Sequence, residues 1–227
     1  MNGFLVIDKP GGMTSRDCVN RAQRWFPPKT KIGHTGTLDP LATGVLVLCI
    51  GAATKLAERV QAMPKRYETR IRLGASSNTD DADGEVIASH VKTVPARAEV
   101  ESALLRFAGE IEQLPPQFSA LKVEGVRAYA SARRGVEVAL KPRIVRVDAI
   151  ALLNYEWPWL DVRIDCGKGT YIRSIARDVG AIFGVGGLVQ TLRRTRVGPF
   201  AAEQGIGVTA TAGEASAAVL PFSAIAE

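Results

Sequence analysis

The sequence predicts an α+β fold on three observations: a wholly apolar run at Val45–Ile50, two-residue alternation in Tyr67–Leu73 and Leu160–Cys166, and helical spacing of apolar residues in Pro95–Phe107. In order, Phe4–Ile7 reads as a short buried strand. Lys9-Pro10-Gly11-Gly12 turns the chain, and Thr14 or Ser15 caps a helix expected to run to about Phe26, where Pro27-Pro28 ends it. Val45–Ile50 is an interior strand and Gly51–Met63 a helix. In Tyr67–Leu73 one face carries Tyr67, Thr69, Ile71 and Leu73 and the other Glu68, Arg70 and Arg72. Asn78–Gly84 is read as a hairpin turn. As a calcium loop with Gly84 at its sixth position it fails, because Thr79 and His90 fall where carboxylates are needed. Val100, Ala103, Leu104 and Phe107 share a helix face, and Arg143–Leu153 and Leu160–Cys166 complete the strands.

Composition narrows the function classes. Of 227 residues, 46% are hydrophobic and 23% charged, and no apolar run approaches the ~20 residues of a membrane span. The first residues lack the basic region and apolar length of a secretory signal, so a cytoplasmic protein is expected. Cys18, Cys49 and Cys166 are odd in number and far apart, which points to buried thiols rather than disulfides or zinc. The net charge of +6 suits a polyanionic partner. Arg16, Arg21 and Arg24 read as a solvated helix face, with phosphate contact as the alternative.

The chemistry concentrates in Lys31–Leu46. Glycines 33, 36 and 44 are expected to permit close approaches and unusual backbone there, and Pro40 fixes φ just after Asp39. An Asp-Pro in isolation would be an ordinary turn. Three separated blocks say otherwise. Gly33–Leu46 reads GHTGTLDPLATGVL, Lys65-Arg66-Tyr67 reads KRY, and Cys166–Arg173 reads C-x-KGTYIR. In this order they resemble the signature blocks of the TruB family of tRNA pseudouridine synthases, and the resemblance runs from about Phe4 to Phe200.

That resemblance implies a pseudouridine-synthase fold, with a mixed, mainly antiparallel central sheet flanked by helices and RNA-binding loops. It implies isomerisation of a uridine in RNA, at the T-arm position 55 of tRNA, with Asp39 catalytic, Tyr67 against the uracil and Arg173 paired to the aspartate. Tyr171 lies nearby, and Leu192 in Leu192-Arg193-Arg194 lines the uracil pocket. His34 is assigned to RNA positioning, as a wedge where the flipped base was, and Lys122 and Lys168 to RNA contact. Asp39 would act on C1′, on C6 or on a ribose proton. No metal or cofactor is expected, since the reaction exchanges an N1–C1′ bond for C5–C1′ without redox change.

Residues 1–200 are expected to form the catalytic domain, with a flexible, thumb-like RNA-binding insertion at about 113–142. Gln113–Lys122 is irregular there, and Arg127–Arg134 is basic with Tyr129 among its residues. Residues 201–227 are read as a short tail, the family's further C-terminal RNA-binding domain as absent, and the chain as a monomer. Two rivals are weighed. A glycoside hydrolase needs a carboxylate pair, where the Asp39 motif offers one acid. An RNA-binding or RNA-folding protein, or a synthase acting on another RNA with a partner, remains the alternative.

Overall fold

The computed structural model describes residues 1–119, 122–123, 126–127 and 139–225, so most of the basic segment Arg127–Arg134 lies outside the described residues. The fold is α+β. Its contacts divide the chain into two compact units, 1–67 with 192–227, and 68–191.

The first unit is built on strand β1 (Gly3–Lys9), β2 (Ile32–His34) and β3 (Thr43–Ile50). β3 carries seven buried residues in a row because both of its faces are covered: Val45, Val47 and Cys49 pack with Phe4, Val60 and Phe200, and Leu46, Leu48 and Ile50 on the opposite face are fully buried as well. β1 pairs antiparallel to it from Gly3↔Ile50 to Lys9↔Gly44, and β2 pairs through His34↔Leu48. Helix α1 (Ser15–Ala22) starts in a capping box between Thr14 and Asp17. It ends at Ala22, short of the expected Phe26, although Trp25 and Phe26 are still buried. Gly51–Met63 is likewise not one helix: a 3₁₀ segment Gly51–Leu56 precedes helix α2 (Ala57–Ala62). Gly51, with φ +60°, and the β-branched Thr54, whose Oγ donates to the Gly51 carbonyl at 2.8 Å, disfavour a regular α-helix there.

Two strands have residues in both units. β4 (Lys65–Leu73) buries Lys65, Tyr67, Thr69, Ile71 and Leu73, the face its alternation predicts. The other is a long strand further along the chain, Gly187–Val197.

In the second unit, β5 (Ala75–Ser77) and β6 (Val86–Ala88) flank the acidic turn as a hairpin. Helix α3 (Arg97–Leu105) buries Val100, Ala103 and Leu104. β7 (Gly109–Gln113) follows, and β8 (Lys122–Val123) pairs with β9 (Val126–Arg127). β10 (Arg143–Glu156) and β11 (Trp159–Cys166) make a long hairpin, and helix α4 (Ile172–Ile182) leads to β12 (Gly187–Val197). The order here is β12-β4-β11-β10-β7. Gly180 lets α4 lie on the start of β12, since a Cβ there would stand 2.1 Å from the Gly186 carbonyl carbon.

Back in the first unit, β12 runs parallel to β3 through Arg193↔Thr43, giving β1-β3-β12-β4, and pairs with β13 (Phe200–Ala201). Residues 201–225, read as a tail, line the outer side of β1. Leu220 exchanges backbone hydrogen bonds with Phe4, Ile206 with Val6 and Asp8, and helix α5 (Ala212–Ala217) lies between. The cysteines are free and buried, and burial pushes the Cys49 thiol up to about 11. Phe4 and Phe200 are fully buried with ring centroids 5.5 Å apart. Phe200→Ala should cost about 3–5 kcal/mol, lowering the urea midpoint without changing the slope.

Candidate active site

Asp39 sits half-buried on the loop between β2 and β3, and the first unit holds that loop at successive backbone groups. Thr35 N–H donates to the Val47 carbonyl at 3.0 Å. Arg194, 3% exposed, donates from Nη2 to the Gly36 carbonyl at 3.1 Å and from Nε to Val45 at 2.8 Å. Ser15 grips Leu38 at both ends: its Oγ accepts the Leu38 N–H at 2.8 Å and donates to the Leu38 carbonyl at 3.2 Å. The Pro40 carbonyl accepts from Gly12 N–H at 2.9 Å and from Lys9 Nζ at 3.1 Å. Asp39 thus stands between Leu38, whose main chain is bonded to the first residue of α1, and Pro40, whose main chain is bonded to Lys9 and to the β1–α1 turn.

Lys9 has no solvent exposure, and its ammonium also donates to the Pro10 and Met13 carbonyls at 2.9 and 2.6 Å. Three carbonyls therefore meet its three donors. Of the three glycines, only Gly44 answers the expectation of unusual backbone. Its φ is +95°, and a Cβ would lie 2.3 Å from the Arg194 carbonyl oxygen, whereas one on Gly33 would meet nothing and one on Gly36 only an ordinary contact.

Tyr67 is buried as the third residue of β4. Two residues earlier on the same face, Lys65 donates to the Gln61 carbonyl and, at 2.6 Å, to that of Met63, closing the C-terminal end of α2 and setting where β4 begins. Leu192, also buried, accepts from Thr43 Oγ through its carbonyl at 3.4 Å. His34 is half-buried on β2. Arg21 is held by the fold, its Nε donating to the Val208 carbonyl at 2.9 Å, while Arg16 and Arg24 are exposed.

The remaining expected residues belong to the second unit. Arg173, on the first turn of α4, is 4% exposed. Its Nη1 donates to the Thr79 carbonyl at 2.9 Å and lies 3.4 Å from Asp81 Oδ2, and its Nη2 donates to the Phe118 carbonyl at 3.0 Å. The acidic turn is therefore a cradle for arginines. Arg177 pairs with Asp80 at 3.0 Å. Burial pushes the Asp80 carboxyl up, against the pull of Arg177 and Arg173. Tyr171 is half-buried just before α4, Lys168 is exposed on the glycine turn, and Lys122 lies on β8.

Sequence reasoning did not single out Lys9, Ser15, Arg194 or Asp81. The available signal was a lysine ending a buried strand and arginine at two consecutive strand positions, one of which must point inward. Ser15→Ala would leave the buried Leu38 N–H and carbonyl unmet, and should cost about 1–3 kcal/mol in urea unfolding.

Comparison with known proteins places these blocks. Residues 23–172 match the family model described as TruB family pseudouridylate synthase, N terminal domain, and 173–212 match tRNA pseudouridylate synthase B C-terminal domain. The chain is 50% identical over 209 residues to tRNA pseudouridine synthase B of Cereibacter sphaeroides, covering 92% of this chain and 69% of that one. It is 46% identical over 206 residues to the same-named protein of Pseudomonas aeruginosa, covering 91% of this chain and 67% of that one. A solved chain from a Cbf5-Nop10-Gar1 complex aligns with a TM-score of 0.69 at 30% identity, covering 90% of this chain and 52% of that one. The chain belongs to the TruB family of pseudouridine synthases, isomerases that convert uridine to pseudouridine in tRNA.

Proposed function

We propose that this protein isomerises the T-arm uridine at position 55 of tRNA, with Asp39 as the acting carboxylate. The observation that carries the reading is the fixation of the Asp39 loop at Gly36, Leu38 and Pro40 by buried donors, which holds one carboxylate in a set place. A group held so loses little freedom on reaching the transition state. A carboxylic acid of ordinary pKa is ionised at neutral pH and competent as a nucleophile or base.

The target base leaves its stack, since its reactive carbons are inaccessible in a folded arm. Tyr67 supplies an aromatic face and Leu192 an apolar wall, which offset part of the lost stacking. The N1–C1′ bond breaks, the base turns and C5 joins C1′; the C5 hydrogen leaves and N1 takes up a proton, so no atom or electron is gained overall. The role of Arg173 is that of the cation that keeps the acting carboxylate ionised. His34 wedges into the gap left by the flipped base, Tyr171 lines the site, and Lys168 and Lys122 meet phosphates. Residues 1–200 act as the catalytic domain, with 113–142 as the insertion that grips the arm. The protein works as a monomer in the cytoplasm, where its substrate is, without a cofactor.

A second reading, a synthase that takes its RNA with partner proteins, is favoured by the likeness to the solved chain from the Cbf5-Nop10-Gar1 complex. One assay separates them: tritium release from tRNA transcript labelled at uracil C5. Wild type alone should release label, Asp39→Asn should release none while binding the transcript within about threefold of wild type, and a transcript with cytidine at position 55 should retain its label. Binding without release by the wild type would overturn the T-arm reading and favour the partner-dependent one.

A further inference from the structure

Gln113 ends β7 and is 1% exposed. Its carboxamide meets the backbone of Tyr171 at two points, with Nε2 donating to the Tyr171 carbonyl at 3.0 Å and Oε1 accepting the Tyr171 N–H at 2.7 Å. A side-chain amide here does what a neighbouring strand would do, matching one donor and one acceptor of an extended residue. Tyr171 is that residue, with φ −101° and ψ 112°, and it is where α4 begins. Its own side chain makes no capping bond, and its carbonyl also receives the Ile175 N–H at 3.3 Å. The register of the first helical turn is therefore set at a residue that Gln113 holds.

The chain just after Gln113 follows the same helix. The Leu114 carbonyl accepts from Ser174 Oγ at 2.8 Å and Arg177 Nη2 at 2.9 Å, and the Phe118 carbonyl accepts from Arg173 Nη2 at 3.0 Å. Arg173 is thus held by its own guanidinium and through Tyr171, two residues before it.

We propose that Gln113 is a positioning residue for the isomerisation: by clamping Tyr171 it fixes the roll of the first turn of α4, and so the place of the Arg173 guanidinium. The proposal rests on the role given to Arg173 above. A helix is about 10–12 Å across with its side chains, so a roll of ~10° moves a side-chain tip by roughly 1 Å. A displacement of ~1 Å in a reacting constellation costs on the order of 100-fold in rate.

The test compares Gln113→Met, which removes both polar contacts at similar volume, with Gln113→Glu, whose carboxylate keeps the acceptor for the Tyr171 N–H and loses the donor. Single-turnover rate at saturating enzyme, tRNA affinity and folded fraction are measured for each, with Arg173→Lys alongside. Gln113→Met should lower the single-turnover rate roughly 10- to 100-fold. Its tRNA affinity should stay within about twofold of wild type, and Gln113→Glu should fall between the two. An unchanged rate in Gln113→Met, or a loss matched by equal loss of binding or of folded protein, overturns the proposal. If Gln113→Met does not fold, Gln113→Glu decides on the same criterion. A defective Arg173→Lys beside a fully active Gln113→Met rejects Gln113 alone; a fully active Arg173→Lys rejects the role of Arg173 and, with it, the route from Gln113.

Discussion

The first unit depends on what happens at the Lys9 ammonium, a charge with no solvent exposure, met by the Pro10, Met13 and Pro40 carbonyls. A buried cation is tolerated only where its hydration shell is replaced donor for acceptor. That condition forces the β1–α1 turn to curl around the lysine and brings Pro40 against it. Ser15, the first residue of α1 after that turn, is then aligned with Leu38. The position of Asp39 follows from the solvation of a lysine thirty residues earlier in the chain.

One device recurs in both units: a buried side-chain donor satisfying main-chain carbonyls in loops and near the ends of strands and helices. Arg194 serves Gly36 and Val45, Lys65 serves Gln61 and Met63, and Arg173 serves Thr79 and Phe118. Loops that carry chemistry cannot pair their carbonyls in a ladder, and a buried unpaired carbonyl is costly. Cations of long reach supply the missing donors without adding strands. Part of the basic excess of this chain is therefore internal wiring, which lowers the share of its charge that faces RNA.

What the sequence made legible follows from how local each cause is. β3 and β4 were readable because burial on two faces gives an unbroken apolar run and burial on one face gives alternation. The Asp39 loop and the GTYIR turn were readable as motifs. The end of α1 was not, because Trp25 and Phe26 remain buried beyond it and continue the helical apolar pattern. Nor were the clamps. Ser15 and Leu38 are separated by 23 positions, Gln113 and Tyr171 by 58, and Arg194 and Gly36 by 158, and no periodicity connects such pairs. That Lys9 and Arg194 are buried becomes visible only in the fold.

The first unit is discontinuous in sequence, and that orders events during synthesis. Residues 68–191 emerge from the ribosome as an unbroken stretch, while β3 still lacks its parallel neighbour. Arg194 follows Gly36 by 158 residues, which at about 5–20 residues per second is roughly 8–30 s of translation. For that interval the Asp39 loop exists without one of its fastenings. A nascent chain carrying the complete GHTGTLDPLATGVL segment therefore still lacks the Arg194 bonds to Gly36 and Val45, which form only once β12 lies beside β3.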